Sequence, residues 1–448
     1  MRHMHDLSRC VSSNPLIGSI RDLLPRGTYL VGGCVRDMLL GRNPLDLDMV
    51  STAPVETIAR DISARIGSRP FWMDEKRGVV RIVVNGSSID IARPKGADIG
   101  EDLLARDLTI NAMAWDVSTD TFLDPAAGLD DLKNGVIRII SEKNLLDDPV
   151  RALRAVRFSV TLNFAIREET TRIIRKHREL LRQASPERVK LEISRSLDSV
   201  HSATFFRLLT WTGLMGVLFP PSLTGREGDS ELWHPVFSTA LPIAEEMDEM
   251  LYAAEALMPG SRACLEEETE QGVKRATMLR LAAFLMGLRE ARPAGESDPA
   301  SFPGKAWDFC TALRFSSQSC RMVRGSLERL DSASELLSQD DPSTLDLYRF
   351  CREAAPVMPE VLLLSLALTR ARGEVRRQTA SEVWEYFRGV YSEYKEHPII
   401  SGNDVMEAVK GVSGPRVGAI LAEVEEARAR GLVRTRDEAI DFLHGIAS

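Results

Sequence analysis

The chain has 448 residues, 44% of them hydrophobic and 27% charged, which is typical of a globular protein and long enough for about three domains. The N-terminal sequence MRHMHDLSRC lacks the apolar core of a secretory signal. The most apolar run, VLLLSLALT at 361–369, is too short to span a bilayer and predicts a buried helix. We therefore expect no membrane association and a cytoplasmic location. Six scattered cysteines without CxxC pairs indicate neither a zinc site nor a disulfide framework.

The formal net charge of −8 does not exclude a nucleic-acid partner. Net charge averages over domains, whereas a phosphate backbone needs only a local basic face.

Residues 29–51, YLVGGCVRDMLLGRNPLDLDMVS, predict a strand, a glycine turn, a helix and a second strand. In the second strand Asp46 and Asp48 leave on the same face, because side chains at i and i+2 do so, while Leu47 turns toward the core. Mg²⁺ is usually held by one or two carboxylates together with the substrate's phosphates. We therefore expect Asp46 and Asp48 to be catalytic carboxylates that bind Mg²⁺.

The paired glycines Gly32 and Gly33 lie just before the predicted helix. Such a turn lets backbone N–H groups approach a triphosphate at the positive end of the helix, with Arg36 in reach. A lone DxD or a lone GG is usually only a turn, but the two together are much more specific.

The form GGCVRD followed by DLD resembles the DNA-polymerase-β-like nucleotidyltransferases, and among them the class II tRNA nucleotidyltransferases and bacterial poly(A) polymerases. The resemblance implies an α+β fold in which a nucleotidyltransferase head with a mixed sheet is followed by all-helical domains. We expect the head at 1–140, a neck with a nucleotide-template helix at 141–200, a body at 201–375 and a tRNA-binding tail at 376–448.

Two further strands are predicted at 78–84 and 88–91, joined by an Asn85-Gly86 hairpin turn. Asp90 lies between two isoleucines of the second strand and should face away from the core. It could be an ordinary edge-strand aspartate, but the family pattern makes it the third catalytic carboxylate, a base or a metal ligand.

The segment RDLTINAMAWD at 106–116 resembles the family's second motif. The resemblance implies that Arg106 contacts the incoming nucleotide and that Asp107 and Asn111 brace the site or touch the ribose. The family usually has a second arginine where this chain has Ala105. Residues 122–140 resemble the third motif, a hinge, in which an aromatic residue and a glycine are replaced by alanines.

The segment DDPVRALRAVRF at 147–158 predicts a helix with Asp148 as N-cap and Pro149 in its first position. Asp148, Arg151, Arg154 and Arg157 recur every three residues. On the residues alone, this stripe is either a solvated face or a phosphate-binding face.

Cytosine and adenine both present an exocyclic amino donor next to a ring-nitrogen acceptor, whereas uracil and guanine present the reverse. A carboxylate from Asp148 and a guanidinium from Arg151 would therefore select C and A. The resemblance implies that this helix is a protein template for CTP and ATP, with Arg154 and Arg157 on the triphosphate. The family's Glu-Asp pair is Asp147-Asp148 in this chain.

The segment 167–195 is strongly basic and predicts two helices. We expect it to bind the tRNA acceptor stem through sequence-independent phosphate contacts, with Arg172, Arg175, Lys176, Arg188 and Lys190 as the RNA-binding residues.

Many relatives carry a His-Asp phosphohydrolase pair in the body domain. This chain has Met286 and Gly287 at the equivalent-looking positions, so the module is expected to be degenerate or absent. The segment 399–443 resembles the family's tail, with a tight turn at 414–418. This tail favours a tRNA enzyme over a poly(A) polymerase, whose C-terminal end tends to be strongly basic.

The resemblance implies a tRNA nucleotidyltransferase that adds CMP and AMP, from CTP and ATP, to the 3′ end of tRNA without a nucleic-acid template. Pyrophosphate leaves, and Mg²⁺ is the cofactor. A split-function enzyme that adds only CC or only A, a poly(A) polymerase and a non-catalytic RNA-binding protein remain as alternatives.

Overall fold

The structure, a computed structural model, describes residues 2–75, 78–224, 234–292, 299–374 and 377–447. The chain divides into two compact units. The first consists of residues 1–192 with 211–217, and the second of residues 193–210 with 218–448. The four-domain division expected from the sequence remains a prediction.

The first unit is built on a mixed sheet of seven strands: β1 Thr28–Val31, β2 Asp46–Ser51, β3 Pro70–Asp74, β4 Val79–Val84, β5 Ser87–Ala92, β6 Ala114–Asp116 and β7 Thr121–Leu123. Their order across the sheet is β3-β4-β5-β2-β1-β6-β7. The β2–β5 pair is parallel and the other neighbouring pairs are antiparallel. This arrangement confirms the α+β head with a mixed sheet.

The helices that accompany this sheet and follow it are α1 Arg2–Ser13, α2 Pro15–Ile20, α3 Gly33–Leu39, α4 Val55–Ile66, α5 Ile99–Leu104, α6 Gly128–Asn134, α7 Glu142–Asp147, α8 Arg151–Leu162, α9 Glu168–His177 and α10 Pro186–Leu197. Two short strands, β8 Val136–Ile137 and β9 Ala165–Ile166, pair in parallel.

Alternation along the strands separates the two faces of the sheet. Leu47 and Met49 of β2, Ile82 of β4 and Ile89 of β5 are buried, and α4 packs on β4 and β5 with Ile62 inside. Asp46, Asp48 and Asp90 point to the opposite face because they alternate with these core residues. The core under α4 therefore leaves the three aspartates on the opposite face, where a second apolar cluster that includes Val31, Val50 and Leu103 packs at the Val50 end of β2.

The predicted hairpin turn is confirmed, with φ of +47° at Asn85 and +81° at Gly86 as a two-residue primed turn requires. The sequence did not predict β3, which forms one edge of the sheet.

The rest of the chain is largely helical: α11 Ser202–Trp211, α12 Met215–Leu218, α13 Pro221–Thr224, α14 His234–Leu257, α15 Ser261–Leu265, α16 Arg275–Glu290, α17 Phe302–Ala312, α18 Ser317–Glu328, α19 Leu330–Leu337, α20 Thr344–Ala354, α21 Met358–Ala371, α22 Arg377–Tyr386, α23 Ser392–Glu396, α24 Gly402–Ala408, α25 Pro415–Ala429 and α26 Arg436–Ala447. One hairpin of β10 Glu268–Glu270 and β11 Val273–Lys274 departs from the all-helical expectation.

Within the described ranges, one stretch, Thr344–Ala371, is long and apolar enough to cross a membrane by length and composition. It is divided between α20 and α21, and 78% of its most apolar window is buried. Residues such as Leu363 and Leu366 are completely enclosed, which confirms the predicted buried helix.

At the C-terminal end α24, α25 and α26 share an apolar core that includes Val405, Val424 and Leu443. The tight turn predicted at 414–418 was wrong in extent. Only Gly414, with φ +60°, lies in the turn, because Pro415 is suited to a first helical position and α25 begins there. At the positions expected for the phosphohydrolase pair, Met286 and Gly287 are buried in α16.

Candidate active site

The three predicted catalytic carboxylates lie on neighbouring strands. The parallel register of β2 and β5 places Asp48 opposite Asp90 and Asp46 opposite Ser88. The Ser88 hydroxyl donates a 2.6 Å hydrogen bond to Asp46 Oδ1. Neighbouring strands lie about 4.8 Å apart, and paired residues project to the same face. The structure thus brings Asp46, Asp48 and Asp90 together on the face away from α4.

The Asp48 carboxyl has a perturbed pKa. Burial raises it to about 6, the negative charges of Asp90 and Asp46 add to the rise, and Arg106 and Arg81 oppose it. A buried carboxylate crowded by like charges gains much from a cation, because the cation restores the favourable environment that water supplied.

The sequence analysis missed the partner of Asp90. Arg81 on β4 lies opposite Asp90 in the antiparallel register and donates to both of its carboxylate oxygens, at 2.6 Å from Nε and 2.5 Å from Nη2. The signal was present in VVRIVV, where the alternation with the buried Val80 and Ile82 turns Arg81 to the acidic face.

Asp46 and Asp48 could bind a divalent cation as two of its ligands, with the substrate supplying the others. Among the described residues, no group of three or more His, Cys, Asp or Glu side chains is placed to hold a metal ion alone. Arg81 donates to both carboxylate oxygens of Asp90, which makes Asp46 and Asp48 the stronger candidates for metal ligation. Two carboxylates completed by phosphate oxygens are the usual environment of Mg²⁺.

Next to the acidic face, Gly32 adopts φ +72° at the start of α3. A Cβ on this residue would stand 2.6 Å from Nη1 of Arg106, so the guanidinium occupies the space that a side chain would take. Asp102 holds Arg106 there by accepting from Nε at 3.1 Å and from Nη2 at 2.9 Å. The structure therefore places Gly32 and Arg106 in one subsite.

A buried polar network joins the first helix motif to the predicted template helix. Arg36 donates to the Asn111 amide oxygen at 2.7 Å, and the Asn111 amide nitrogen donates to Asp107 at 3.1 Å. Arg154 of α8 then donates to the other Asp107 oxygen at 2.6 Å. Burial alone would raise the pKa of Asp107, but Arg154 and Asn111 hold it below its ordinary value. The network fixes α8 against the loop that precedes β6.

Arg157, predicted to meet the triphosphate, lies deeper than the other arginines of the stripe. It is 9% exposed and donates to Glu192 of α10 at 2.5 Å, with its guanidinium 3.9 Å from the centre of the Phe158 ring. Glu192, which also lies 3.5 Å from Arg154, was not singled out from the sequence.

The two residues predicted to read the base, Asp148 and Arg151, both have partners in the structure. Asp148 accepts from Arg188 at 2.7 Å, and Arg151 donates to the carbonyl oxygens of Arg106 and Ala105 at 3.1 and 2.9 Å. Burial would raise the pKa of Asp148, but Arg188 and Arg151 keep it below its ordinary value. Both side chains are thus fixed in orientation, with Asp148 ionised.

The predicted start of the template helix was wrong by two residues. The helix begins at Arg151 with Val150 as its N-cap, and Asp148 is the extended residue that ends α7. The Asp148 carboxylate still accepts from the Val150 N–H at 3.3 Å, since both residues lie in the short connection between α7 and α8.

The predicted RNA-binding residues lie on α9 and α10, and the two predicted helices are confirmed. Lys176 pairs with Glu142 at 2.7 Å, Arg175 donates to the Trp211 carbonyl at 2.7 Å, and Arg188 is used by Asp148. Arg172 is largely exposed, with Glu168 at 3.8 Å, and Lys190 is half-buried. An RNA-binding role for this surface stays a prediction.

A mixed sheet that presents paired aspartates beside a double-glycine turn defines a nucleotidyltransferase of the DNA-polymerase-β-like class. Residues 28–138 match the family model "Poly A polymerase head domain". Residues 163–224 match "Probable RNA and SrmB- binding site of polymerase A", and residues 301–443 match a model for tRNA nucleotidyltransferase domain 2.

A CC-adding tRNA nucleotidyltransferase of Geobacter sulfurreducens is 32% identical over 93% of this chain and 91% of the relative. An A-adding tRNA nucleotidyltransferase of Deinococcus radiodurans is 29% identical over 94% of this chain and 95% of the relative. A solved CCA-adding enzyme with CTP has a TM-score of 0.72 at 21% identity and covers 99% of both chains.

The chain belongs to the class II tRNA nucleotidyltransferase and poly(A) polymerase family, and it is a tRNA nucleotidyltransferase. Nucleotidyltransferases of this class typically use a divalent metal ion.

Proposed function

We propose that this enzyme adds two CMP residues from CTP to the 3′ end of tRNA and releases pyrophosphate. The observation that carries the chemistry is the alignment of Asp46, Asp48 and Asp90 on β2 and β5 beside the Gly32 turn. The choice of CC addition is supported by the relative from Geobacter, which is similar over nearly the whole chain. Complete CCA addition, as first expected from the sequence, is the second candidate. Its support comes from a structure only 21% identical, which indicates a shared fold, and from a CCA-adding enzyme of Geobacillus stearothermophilus that is 33% identical over only 47% of this chain.

Asp46 and Asp48 are the residues that would hold Mg²⁺. When bound, the ion supplies Lewis-acid stabilisation of the charge that develops on the phosphate and on the leaving pyrophosphate. Asp90 accepts the proton of the attacking 3′-hydroxyl, and the bidentate pair with Arg81 keeps its carboxylate oriented for that purpose.

Arg106, seated on Gly32, binds the phosphates of the incoming nucleotide. Arg36, Asn111, Asp107 and Arg154 form one hydrogen-bonded chain that keeps the nucleotide subsite rigid. A fixed arrangement of donors lowers the reorganisation needed at the moment of reaction.

Asp148 and Arg151 read the base. An ionised carboxylate has about four lone-pair sites and a guanidinium has five N–H donors, so both can bind cytosine in addition to their present partners. Asp148 accepts from the exocyclic amino group while Arg151 donates to the ring nitrogen, and uracil offers the reverse pattern. The contacts of Arg151 with the main chain beside Arg106 link base reading to phosphate binding.

The proposal is tested with three tRNA transcripts that end at the discriminator base, at C and at CC. Each is incubated with Mg²⁺ and with CTP or ATP, singly and together, and products are resolved at single-nucleotide length. We expect two additions to the first transcript, one to the second and none to the third, with CTP alone sufficient. C addition to the first two transcripts together with A addition to the CC transcript would establish the CCA enzyme instead. A addition to the CC transcript alone would indicate an A-adding enzyme, and long A tails would indicate a poly(A) polymerase.

The catalytic assignment is tested separately with Asp48→Ala. This variant should lose Mg²⁺-dependent incorporation while keeping the secondary structure seen by circular dichroism. Incorporation at the wild-type rate would exclude Asp48 as a metal ligand.

A further inference from the structure

Arg81 and Val83 of β4 and Phe71 of β3 continue the face that carries the three aspartates as far as the β3 edge of the sheet. The register pairs Asp48 with Asp90, Asp90 with Arg81, and Arg81 with Phe71. Paired residues project to one face, so these four side chains form a row that crosses β2, β5, β4 and β3. A parallel row leads from Asp46 through Ser88 to Val83.

The far end of these rows is open to solvent. Phe71 is 46% exposed on the edge strand β3, and Val83 is 47% exposed although its strand β4 buries Val80 and Ile82 on the other face. With strands about 4.8 Å apart, Phe71 lies about 14 Å from Asp48. Single exposed hydrophobic side chains are common on protein surfaces and need no explanation. Phe71 differs from them because it lies in the same row as the proposed catalytic carboxylates.

The direction from which the 3′-hydroxyl attacks the phosphorus indicates which substrate lies over Arg81, Val83 and Phe71. Gly32 follows β1 and Arg106 precedes β6, so the nucleotide subsite lies on the β1 side of the two β2 aspartates. In phosphoryl transfer the attacking and leaving oxygens are roughly in line on opposite sides of the phosphorus. The acceptor must therefore approach from the β5 side, where the rows continue to Arg81 and Phe71.

The chemistry of these side chains fits single-stranded RNA. Aromatic side chains bind bases by stacking, and neighbouring arginines neutralise the backbone. Arg81 uses Nε and Nη2 for Asp90, and a guanidinium with five donors can bind a phosphate at the same time.

We propose that Phe71, Arg81 and Val83 form an acceptor strip that binds the 3′-terminal nucleotides of the RNA, with a base stacked on Phe71 and Arg81 contacting its backbone. This inference rests on the proposed function for the identity of the acceptor. It assigns a role to a strand that the nucleotide site does not use.

The same strand supplies a matched control. Trp72, adjacent to Phe71 and 41% exposed, pairs with the buried Val80 and therefore projects to the opposite face. Phe71→Ala should raise KM for the tRNA acceptor about 5- to 150-fold, the range expected for one lost base–aromatic stack, without raising KM for CTP. Trp72→Ala should leave both constants unchanged. Equal effects of the two variants, or no effect of Phe71→Ala, would overturn the proposal.

A second experiment tests the stacking on Phe71 with RNA acceptors that lack one base. Transcripts with an abasic site placed in turn at each of the 3′-terminal positions are compared on the wild type and on Phe71→Ala. At one position the abasic acceptor should raise the wild-type KM to the value of the variant and leave the variant unchanged. If every abasic acceptor weakens both proteins equally, no base stacks on Phe71 and the proposal fails.

Phe71→Tyr keeps a stacking ring and should restore the wild-type KM, whereas Phe71→Leu keeps apolar volume and should not. This pair keeps the test valid if the alanine variant does not fold. The competing occupant of an exposed edge strand is a second copy of the chain. A wild-type dimer that Phe71→Ala converts to a monomer, with an unchanged KM for the acceptor, would assign the strip to dimerisation and overturn the proposal.

A binding measurement separates this inference from the proposed function. The dissociation constant of a labelled acceptor mini-helix is determined without nucleotide, by fluorescence anisotropy, for the wild type, Phe71→Ala and Trp72→Ala. Failure of the wild type to incorporate any nucleotide would refute CC addition, whereas equal RNA affinity of all three proteins would refute the strip.

Discussion

Arg106 lies so close over Gly32 that a Cβ on residue 32 would stand 2.6 Å from its Nη1. Gly32 also holds φ +72°, which L side chains rarely adopt. We expect Gly32→Ala to displace the guanidinium and to raise KM for CTP about tenfold or more, the effect of losing a charged hydrogen bond. Steady-state kinetics with CTP varied at saturating tRNA would measure this.

Gly33→Ala is the comparison for that experiment. At Gly33 the nearest atom to an added Cβ is Arg36 Nη2 at 3.6 Å, an ordinary contact, and φ is not positive. Its KM for CTP should rise much less than that of Gly32→Ala. Equal rises would show that the contact with Arg106 is not the cause.

The raised pKa of Asp48 predicts a pH-dependent stability. Burial and the charge of Asp90 raise this pKa to about 6, so the metal-free fold penalises the ionised form. Below about pH 4 Asp48 is protonated in both the folded and the unfolded chain, and the penalty is absent. The penalty grows between about pH 4 and pH 6 and is complete above pH 6.

Asp48→Asn should therefore raise the free energy of unfolding of the metal-free enzyme by about 1–3 kcal/mol at pH 8, and by nothing near pH 4. Urea denaturation at both pH values measures the difference. Mg²⁺ should stabilise the wild type at pH 8 and should stabilise Asp48→Asn far less. A variant less stable than the wild type at pH 8 would contradict the argument.

The parts of the site that the sequence predicted are those encoded within a few residues. The period of two in DLDM and SIDI sends Asp46, Asp48 and Asp90 to one face, and the local pattern survives in the fold. The glycine turn is likewise a property of one short segment.

The parts that were missed depend on partners far along the chain. Glu192 meets Arg157 from 35 residues away, and Arg36 meets Asn111 from 75 residues away. No periodicity reveals which acid will neutralise which arginine. The Asp148 cap was misplaced because a second helix ends at the same turn, which competes with the capping pattern.

The pair of Asp107 and Arg154 should matter for stability. Asp107 is 7% exposed, and its removal would leave the guanidinium of Arg154 without its closest acceptor. We expect Asp107→Ala to lower the free energy of unfolding by about 3 kcal/mol at pH 7, as for other disrupted buried pairs. Because the pKa of Asp107 is held below its ordinary value, the difference should shrink as the pH falls below about 4.

The exposed ion pair of Arg21 and Asp120, at 2.6 Å, is the control for that measurement. Asp120→Asn, which removes the charge and keeps a residue type that tolerates the φ of +54° at this position, should cost less than about 1 kcal/mol, because solvent screens exposed pairs. Equal losses for the two variants in urea denaturation would show that the buried network adds nothing.

The orientation of Asp148 predicts a loss of base selection when its carboxylate is removed. Asp148→Ala removes the acceptor for the cytosine amino group, while Arg151 keeps its bonds to the main chain at 105 and 106. The ratio of kcat/KM for CTP to that for UTP should fall about 5- to 150-fold, the value of one base contact. Asp147, the exposed residue just before it, is the matched control, and Asp147→Ala should leave the ratio unchanged.

Misincorporation of UTP is measured by primer extension on a tRNA that ends at the discriminator base. If Asp148→Ala slows CTP and UTP to the same extent, Asp148 positions the helix through Arg188 and does not read the base.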